Sequence, residues 1–515
     1  MSHHRHSMFH RVTTAATIAA VIGGSLIVTG NADAGTATEI DVMAWLDAVD
    51  PAIQIDQSNN CMAGATDAVA YRNDRIVLRS SASATSAKNT VNLKLNQMYG
   101  GPAFNYVGGI ERITFPNTPP LNTPVVDVLS VTLVPRPGGA PHDILGLARR
   151  LRHESGQIAS PDVALTPSGP YGHYWPDGPP IKTSTLTQPR TGLVPPIMTP
   201  IGTGVKVEIY DTGLAPTVPG ELPTTTKLSA NDNELLDTVS NGPKMVDYPH
   251  GAHGKAIAGV ISTLAPAATI QEVRINDRSG LLTDVSATRG IASSLRTLSR
   301  ANYPDLIVNA FSTAVCDLDP LAPGVDMRPI GLEAVVEVVD RFDPFQPDGM
   351  LIVASAGNMD SRRPRYPAAF ESVIGVGALD GNIDGDSSPW SSASRTAPIA
   401  EFSDRGSWVK IYTPGVDLPT THATGVRFET GGDIIDGKAL TSGTSFSAPV
   451  FVAYLAEVIS TSKVKARVAY NMLKNGGIAP LPECGTTTVE TGKAVVLNSL
   501  STAITAPATG NPVTC

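Results

Sequence analysis

The sequence predicts an α/β fold in which a mostly parallel sheet is covered on both faces by helices, preceded by a smaller α+β unit. Three observations predict it. From residue 204 onward, strand-like apolar runs alternate with helix-like ones: 205–210, 253–263, 269–274, 283–300, 305–309, 329–342 and 351–354. That alternation argues for parallel strands joined by helices. Upstream, 125–134, 143–153 and 158–165 read as strand, helix and strand. Between the two blocks, 166–201 is dense in Pro, Gly and Thr, the composition of a linker open to proteolysis.

Each element has its own justification. The first residues carry His and Arg, followed by an apolar stretch from about Ala15 to Val28 and then Ala32-Asp33-Ala34. This is the anatomy of a secretory signal cut after Ala34. A membrane anchor is the alternative, but Gly23 and Gly24 interrupt the stretch and it is short for a bilayer span. No stable membrane span is therefore expected. Residues 35–117 give no clear fold; within them Val91-Asn92-Leu93-Lys94-Leu95 alternates like a strand. Val125 opens an alternating run, and Ile144, Leu145, Ala148 and Leu151 lie at the spacing of one helix face. The resulting division is 1–34 signal peptide, 35–117 N-terminal region, 118–168 α+β unit, 169–203 linker, 204–478 main domain and 479–515 C-terminal extension.

Bulk properties limit the function classes. With 515 residues, the chain exceeds what a single compact core needs. Hydrophobic residues at 42% and charged residues at 17% fit a globular protein. A net charge of −9 with no long basic run leaves no electrostatic footprint for nucleic acid. The four cysteines, Cys61, Cys316, Cys484 and Cys515, lie away from every chemical motif. In an exported chain they imply two structural disulfides, with three connectivities open.

Four motifs carry chemistry. The run Val205–Tyr210, written 205–210 above, ends in Asp211-Thr212-Gly213, and sites assemble at the carboxyl ends of strands in open α/β sheets. Alone, Asp before Gly is also a common turn. His253-Gly254 opens a helix whose Ile257-Ala258-Gly259 can pack closely, and imidazole exchanges a proton near neutral pH. His250 competes for this role, but it would place Gly254-Lys255-Ala256 at the packing positions, so it reads as a loop residue. Thr441-Ser442-Gly443-Thr444-Ser445-Phe446-Ser447-Ala448-Pro449 precedes an apolar run. A serine at a helix start gains from free backbone donors but needs an adjacent base that a third group orients. Finally, the buried-strand pattern Leu351-Ile352-Val353-Ala354-Ser355 leads to Ala356-Gly357-Asn358, whose amide suits an oxyanion. Singly, these serines could be helix caps and the Asn a turn residue; in the order Asp, His, Ser the bland readings fail together.

In that order the motifs resemble the subtilisin-like (S8) serine peptidases over about 204–473. The boxes are Asp211-Thr212-Gly213, His253-Gly254 with Ile257-Ala258-Gly259, Ala356-Gly357-Asn358, and Gly443-Thr444-Ser445 with Ala448-Pro449. Tyr366-Pro367-Ala368, Phe402-Ser403 and Pro414-Gly415-Val416 are similar to intervening segments of the family. The resemblance implies a subtilisin-like three-layer fold and a secreted serine endopeptidase. It implies Ser445 as nucleophile, His253 as base, Asp211 as its orienter, and Asn358 with the Ser445 backbone amide as oxyanion donors. It places a substrate groove along Ala310, Phe311 and Ser312 on one side and Ser355, Ala356 and Gly357 on the other. It makes the 118–168 unit similar to inhibitory propeptides, so the chain's own N-terminal region is the expected intramolecular inhibitor. Ala310-Phe311-Ser312-Thr313 lacks the family's usual Gly, and Lys255 and Ala256 stand where Thr and a second His are frequent.

No cofactor is implied. Asp380-Gly381-Asn382-Ile383-Asp384-Gly385-Asp386 matches the start of a calcium loop, yet its twelfth position is Ser391 rather than Glu. A solvated acidic loop is the better reading, with calcium as the alternative. Among competing functions, a sedolisin would need a Glu and Asp pair in place of His253 and an Asp in place of Asn358. An inactive binding module is disfavoured because every chemical position is filled. A narrow processing protease fits the long N-terminal region but is not required by it.

Overall fold

A computed structural model describes residues 50, 52–56, 69–100, 103–116, 127–166, 181–182, 201–214, 222–223, 225–228, 244–245, 252–276, 281–298, 302–314, 328–341, 349–379, 399–427, 435–476, 479–480 and 493–494. The signal-like segment, all four cysteines, His250, Ser391 and 380–386 lie outside the described residues. Every described residue belongs to one compact unit, Glu39–Cys515.

The N-terminal part starts with strands β1 (Ile53–Asp56) and β2 (Val69–Arg79), helix α1 (Ala84–Tyr99), and strands β3 (Val107–Ile113) and β4 (Val128–Leu133). Helix α2 (Ile144–Ser155) and strand β5 (Ile158–Leu165) complete it. The order β5-β2-β4-β3 is antiparallel throughout, with β1 on β2, a split β-α-β arrangement.

The boundary expected at 117 thus falls inside one sheet, since β2 and β3 pair with β4 from its far side. The strand expected over 91–95 is a correction: it is the middle of α1. Val91 and Leu95 are fully buried while Leu93 is 55% exposed, so the run obeys the helical i, i+4 period and not alternation. Ser83 caps the helix by accepting Ser86 N–H at 3.1 Å, and Gly100 ends it at φ 63°. Helix α2 forms where its spacing predicts, with Asp143 capping Gly146 N–H at 2.8 Å.

The main domain follows after the short strand β6 (Ile181–Lys182). It comprises β7 (Lys206–Asp211), β8 (Thr226–Leu228), β9 (Lys244–Met245), α3 (His253–Leu264), β10 (Thr269–Arg274), β11 (Leu282–Thr283), α4 (Asp284–Thr297), β12 (Leu306–Asn309), β13 (Thr313–Ala314) and α5 (Ile330–Arg341). Then come β14 (Leu351–Ser355), β15 (Arg365–Tyr366), β16 (Ile374–Leu379), β17 (Val409–Pro414), β18 (Leu418–Arg427), β19 (Ile435–Thr441), α6 (Thr444–Ser462), α7 (Ala466–Gly476), β20 (Ala479–Pro480) and β21 (Lys493–Ala494). The central sheet runs β20-β21-β17-β16-β14-β12-β7-β10-β8 and is parallel except at β20.

Both sheet faces are buried, which is why its strands read as unbroken apolar runs. Val207, Ile209, Val308 and Val353 face one core with α3 and α6. Tyr210, Ile307 and Ile352 face a second core with α4 and α5, and this second core also takes in the N-terminal sheet. The family-like three layers are therefore present, with the α+β unit laid over α4 and α5. Among the described residues only α6 is long and apolar enough to cross a membrane, and it is a buried core helix.

Candidate active site

The parallel sheet brings the carboxyl ends of β7, β12 and β14 side by side. Asp211 is the last residue of β7, and its Oδ1 accepts the Thr212 N–H at 2.8 Å. His253 is the first residue of α3 and donates Nδ1–H to the same Oδ1 at 2.8 Å. Both side chains are buried, at 2% and 1% exposure, so water competes little for this contact. The His box glycines are explained by contact. A Cβ on Gly254 would lie 2.1 Å from Glu272 Oε1, and one on Gly259 would lie 2.6 Å from Thr421 N. Close approach at these two points seats α3 against β10 and β18.

Ser445 is the second residue of α6, after Gly443, whose φ of 140° favours glycine. Its Oγ donates to Ala310 O at 3.1 Å. Thus the nucleophile candidate touches the segment that follows β12. The Phe446 ring packs edge-on against His253, with centroids 5.5 Å apart.

Asn358 follows β14, and its Oδ1 accepts both Thr444 N–H at 2.9 Å and Thr444 Oγ–H at 2.8 Å. These two donors fix the amide's orientation and leave the Nδ2 end as a donor for something else. The turn that carries Asn358 rests on a group that the sequence motifs did not single out. Buried Asp404 accepts Met359 N–H at 2.9 Å and Ser361 N–H at 2.8 Å through Oδ1, and pairs with Arg365 through Oδ2. Asp404 N–H in turn donates to Gly357 O at 2.9 Å. A Cβ on Gly357 would sit 2.3 Å from Asp404 Oδ2, so only glycine fits there, at φ 115°. Burial pushes the Asp404 carboxyl up and Arg365 opposes it. No local pattern signals a pair whose members stand 39 positions apart.

The remaining groove candidates are buried: Ala310, Phe311 and Ser312 on one side, Ser355, Ala356 and Gly357 on the other. Ser312 is already paired, exchanging both backbone bonds with Thr166 at 3.0 and 2.8 Å. Lys255 and Ala256, the departures noted in the His box, are both fully buried. Nearby His422, also fully buried, accepts Ala423 N–H at Nδ1 and is pushed down to about 3 by burial, then by Lys255 and His253. It is therefore neutral at physiological pH. Among the described residues no cluster of His, Cys, Asp and Glu could hold a metal ion.

A buried carboxylate-imidazole pair beside a helix-start serine is an arrangement for acyl transfer, and comparison with known proteins agrees. The Subtilase family profile matches residues 202–474, more than half of the chain. The chain belongs to the subtilase family. Among its relatives, this subtilase is 29% identical over 268 residues to the thermophilic serine proteinase of Bacillus sp. (strain AK1), covering 50% of this chain and 52% of that protein. It is 26% identical over 248 residues to thermitase of Thermoactinomyces vulgaris, covering 44% and 74%. The subtilase thus spans about half the length of the first of these relatives. Its fold is similar to fervidolysin from Fervidobacterium pennivorans, with a TM-score of 0.50, 17% identity and coverage of 85% of this chain and 61% of that one.

Proposed function

We propose that this subtilase is a secreted serine endopeptidase made as a zymogen, with Ser445 as nucleophile, His253 as general base and Asp211 as the group that orients it. The observation that carries the reading is the buried 2.8 Å bond from His253 Nδ1 to Asp211 Oδ1. With Nδ1–H committed to Asp211, Nε2 is left as the proton acceptor. Ser445 Oγ attacks the scissile carbonyl carbon while His253 Nε2 takes its proton. The tetrahedral oxyanion is met by the Asn358 amide and the Ser445 backbone N–H, which lies in the first helical turn. Collapse expels the amine, protonated by His253, and leaves an acyl-Ser445 ester. Water, deprotonated by the same imidazole, then releases the carboxylate and restores the serine. No cofactor enters any step.

The zymogen reading is supported by how the N-terminal sheet sits on α4 and α5. Arg79 bonds to Glu337 at 2.7 Å, Arg296 to Thr114 at 2.8 Å, and Asp162 Oδ1 accepts Val285 N–H at 2.9 Å. Thr166, just past the last strand of that sheet, pairs with Ser312 of the proposed groove. Export is supported by the signal-like start of the sequence. The test is hydrolysis of an unfolded protein by the full chain and by Ser445→Ala and His253→Ala. Turnover should fall at least 10³-fold in each variant. Retention of peptidase activity by Ser445→Ala would overturn the nucleophile.

A further inference from the structure

Glu272 stands where the strand pattern calls for an apolar residue. On β10 it pairs with Ile209 of β7, and Ile270 lies two residues earlier on the same face. Ile209 and Ile270 both belong to the apolar core that packs against α3, whereas Glu272, fully buried beside them, is a carboxyl. Burying such a group is costly unless hydrogen bonds answer it. One bond that answers it leads to the turn carrying Asp211: Glu272 Oε1 accepts the buried Gly213 N–H at 2.9 Å. The same oxygen lies against the start of α3, where a Cβ on Gly254 would overlap it and would stand 3.0 Å from Gly213 O. Gly254 N–H donates across the same junction to Thr212 Oγ1 at 3.0 Å. The glycine that closes the Asp211 motif and the glycine that follows His253 therefore meet on one carboxyl oxygen.

We propose that Glu272 is a positioning residue for the peptidase reaction: its Oε1 clamps the Asp211 turn to the first turn of α3 and so sets the geometry of the Asp211–His253 pair. The proposal rests on the reading of Asp211, His253 and Ser445 as a triad and adds to it a group that acts through the first two. Asp211 ends a strand and His253 begins a helix, so their side chains keep register only if the two backbones are tied together nearby. An apolar side chain at 272 would leave the buried Gly213 N–H without this acceptor, and the turn would lose its tie to β10. A shift of about 1 Å at the imidazole is enough to cost on the order of 10² in rate. Reach is therefore the property of Glu272 that matters: an acceptor oxygen must extend from β10 to Gly213 while passing the bare Cα of Gly254.

The experiment makes the full chain as wild type, Glu272→Gln and Glu272→Asp and measures hydrolysis of an unfolded protein per active site, counted by exhaustive labelling with a serine-directed phosphonate. Gln keeps an acceptor oxygen at the same reach without the charge, so its kcat should stay within about threefold of wild type. Asp keeps the charge but is one methylene short, so its kcat should fall at least tenfold with KM unchanged. A role confined to stability would lower Tm while leaving kcat per labelled site unchanged in both variants, and that result overturns the clamp. An equal fall in both variants overturns it too, because charge rather than reach would then be what matters. Should Glu272→Asp fail to fold, Gly254→Ala drives the same oxygen aside from the other direction; it should reproduce the fall in kcat, and an unchanged kcat there overturns the proposal. A wild-type chain that hydrolyses nothing, even after trimming with an added protease, sinks the triad reading and the clamp with it, whereas an active wild type with unaffected variants sinks the clamp alone.

Discussion

His253 is held by one carboxylate oxygen, and that oxygen also accepts Thr212 N–H. Asp211→Asn preserves the shape but offers an amide, which favours the wrong imidazole tautomer. We expect kcat to fall about 10⁴-fold in that variant with little change in folding, read by steady-state kinetics and circular dichroism. Asn358→Leu removes the proposed oxyanion donor, and kcat should fall about 10²–10³-fold while KM stays near its original value. Asp404 acts at one remove. Asp404→Ala strands Arg365 in the interior, and unfolding by denaturant should show a loss of about 3–5 kcal/mol. The three proposed catalytic residues and Asn358 were legible because each stands in a short motif at a strand end or helix start. Asp404 and Arg365 were not, since only the fold brings them together. Buried Lys255 and His422 were equally hidden, because charged and polar types read as surface residues until their neighbours are known.

At the scale of elements, α3 and α1 teach different lessons. The glycine in Ile257-Ala258-Gly259 is where α3 meets the backbone of β18, so the motif records packing as well as chemistry. Gly259→Ala places a Cβ within 2.9 Å of Thr421 O and 2.6 Å of Thr421 N, so α3 must shift and carry His253 with it. The variant should lose about 1–3 kcal/mol of stability and at least tenfold in turnover, measured by denaturant unfolding and kinetics. Helix α1 was misread because Val91, Leu93 and Leu95 satisfy a period of two as readily as 91 and 95 satisfy a period of four. Only the exposure of Leu93 separates them. Helix α6 carries a further consequence of burial. Glu457, with one carboxyl oxygen buried and unpartnered, is pushed up to about 7 by burial. A raised carboxyl favours the folded state below the ordinary carboxylate range, and that stability is lost as pH rises toward 7. Glu457→Gln should therefore raise Tm by a few degrees at pH 8, with the gain fading below about pH 5.

At the scale of the whole molecule, two cores share one parallel sheet, and the N-terminal sheet extends one of them. The alternation of strands and helices announced the central layers. The full extent of the N-terminal unit was not legible, because its strands β2 and β3 pair with β4 across a long stretch of sequence. The consequence of this architecture is that Ser312, in the segment proposed to line the groove beside Ser445, is paired with the chain's own Thr166. The most direct test of the central claim is covalent labelling with a serine-directed phosphonate, mapped by peptide mass after the N-terminal unit has been removed. Label on Ser445, abolished in His253→Ala, is the predicted result. Label absent from Ser445, or undiminished in His253→Ala, would contradict the assignment of a base-activated nucleophile.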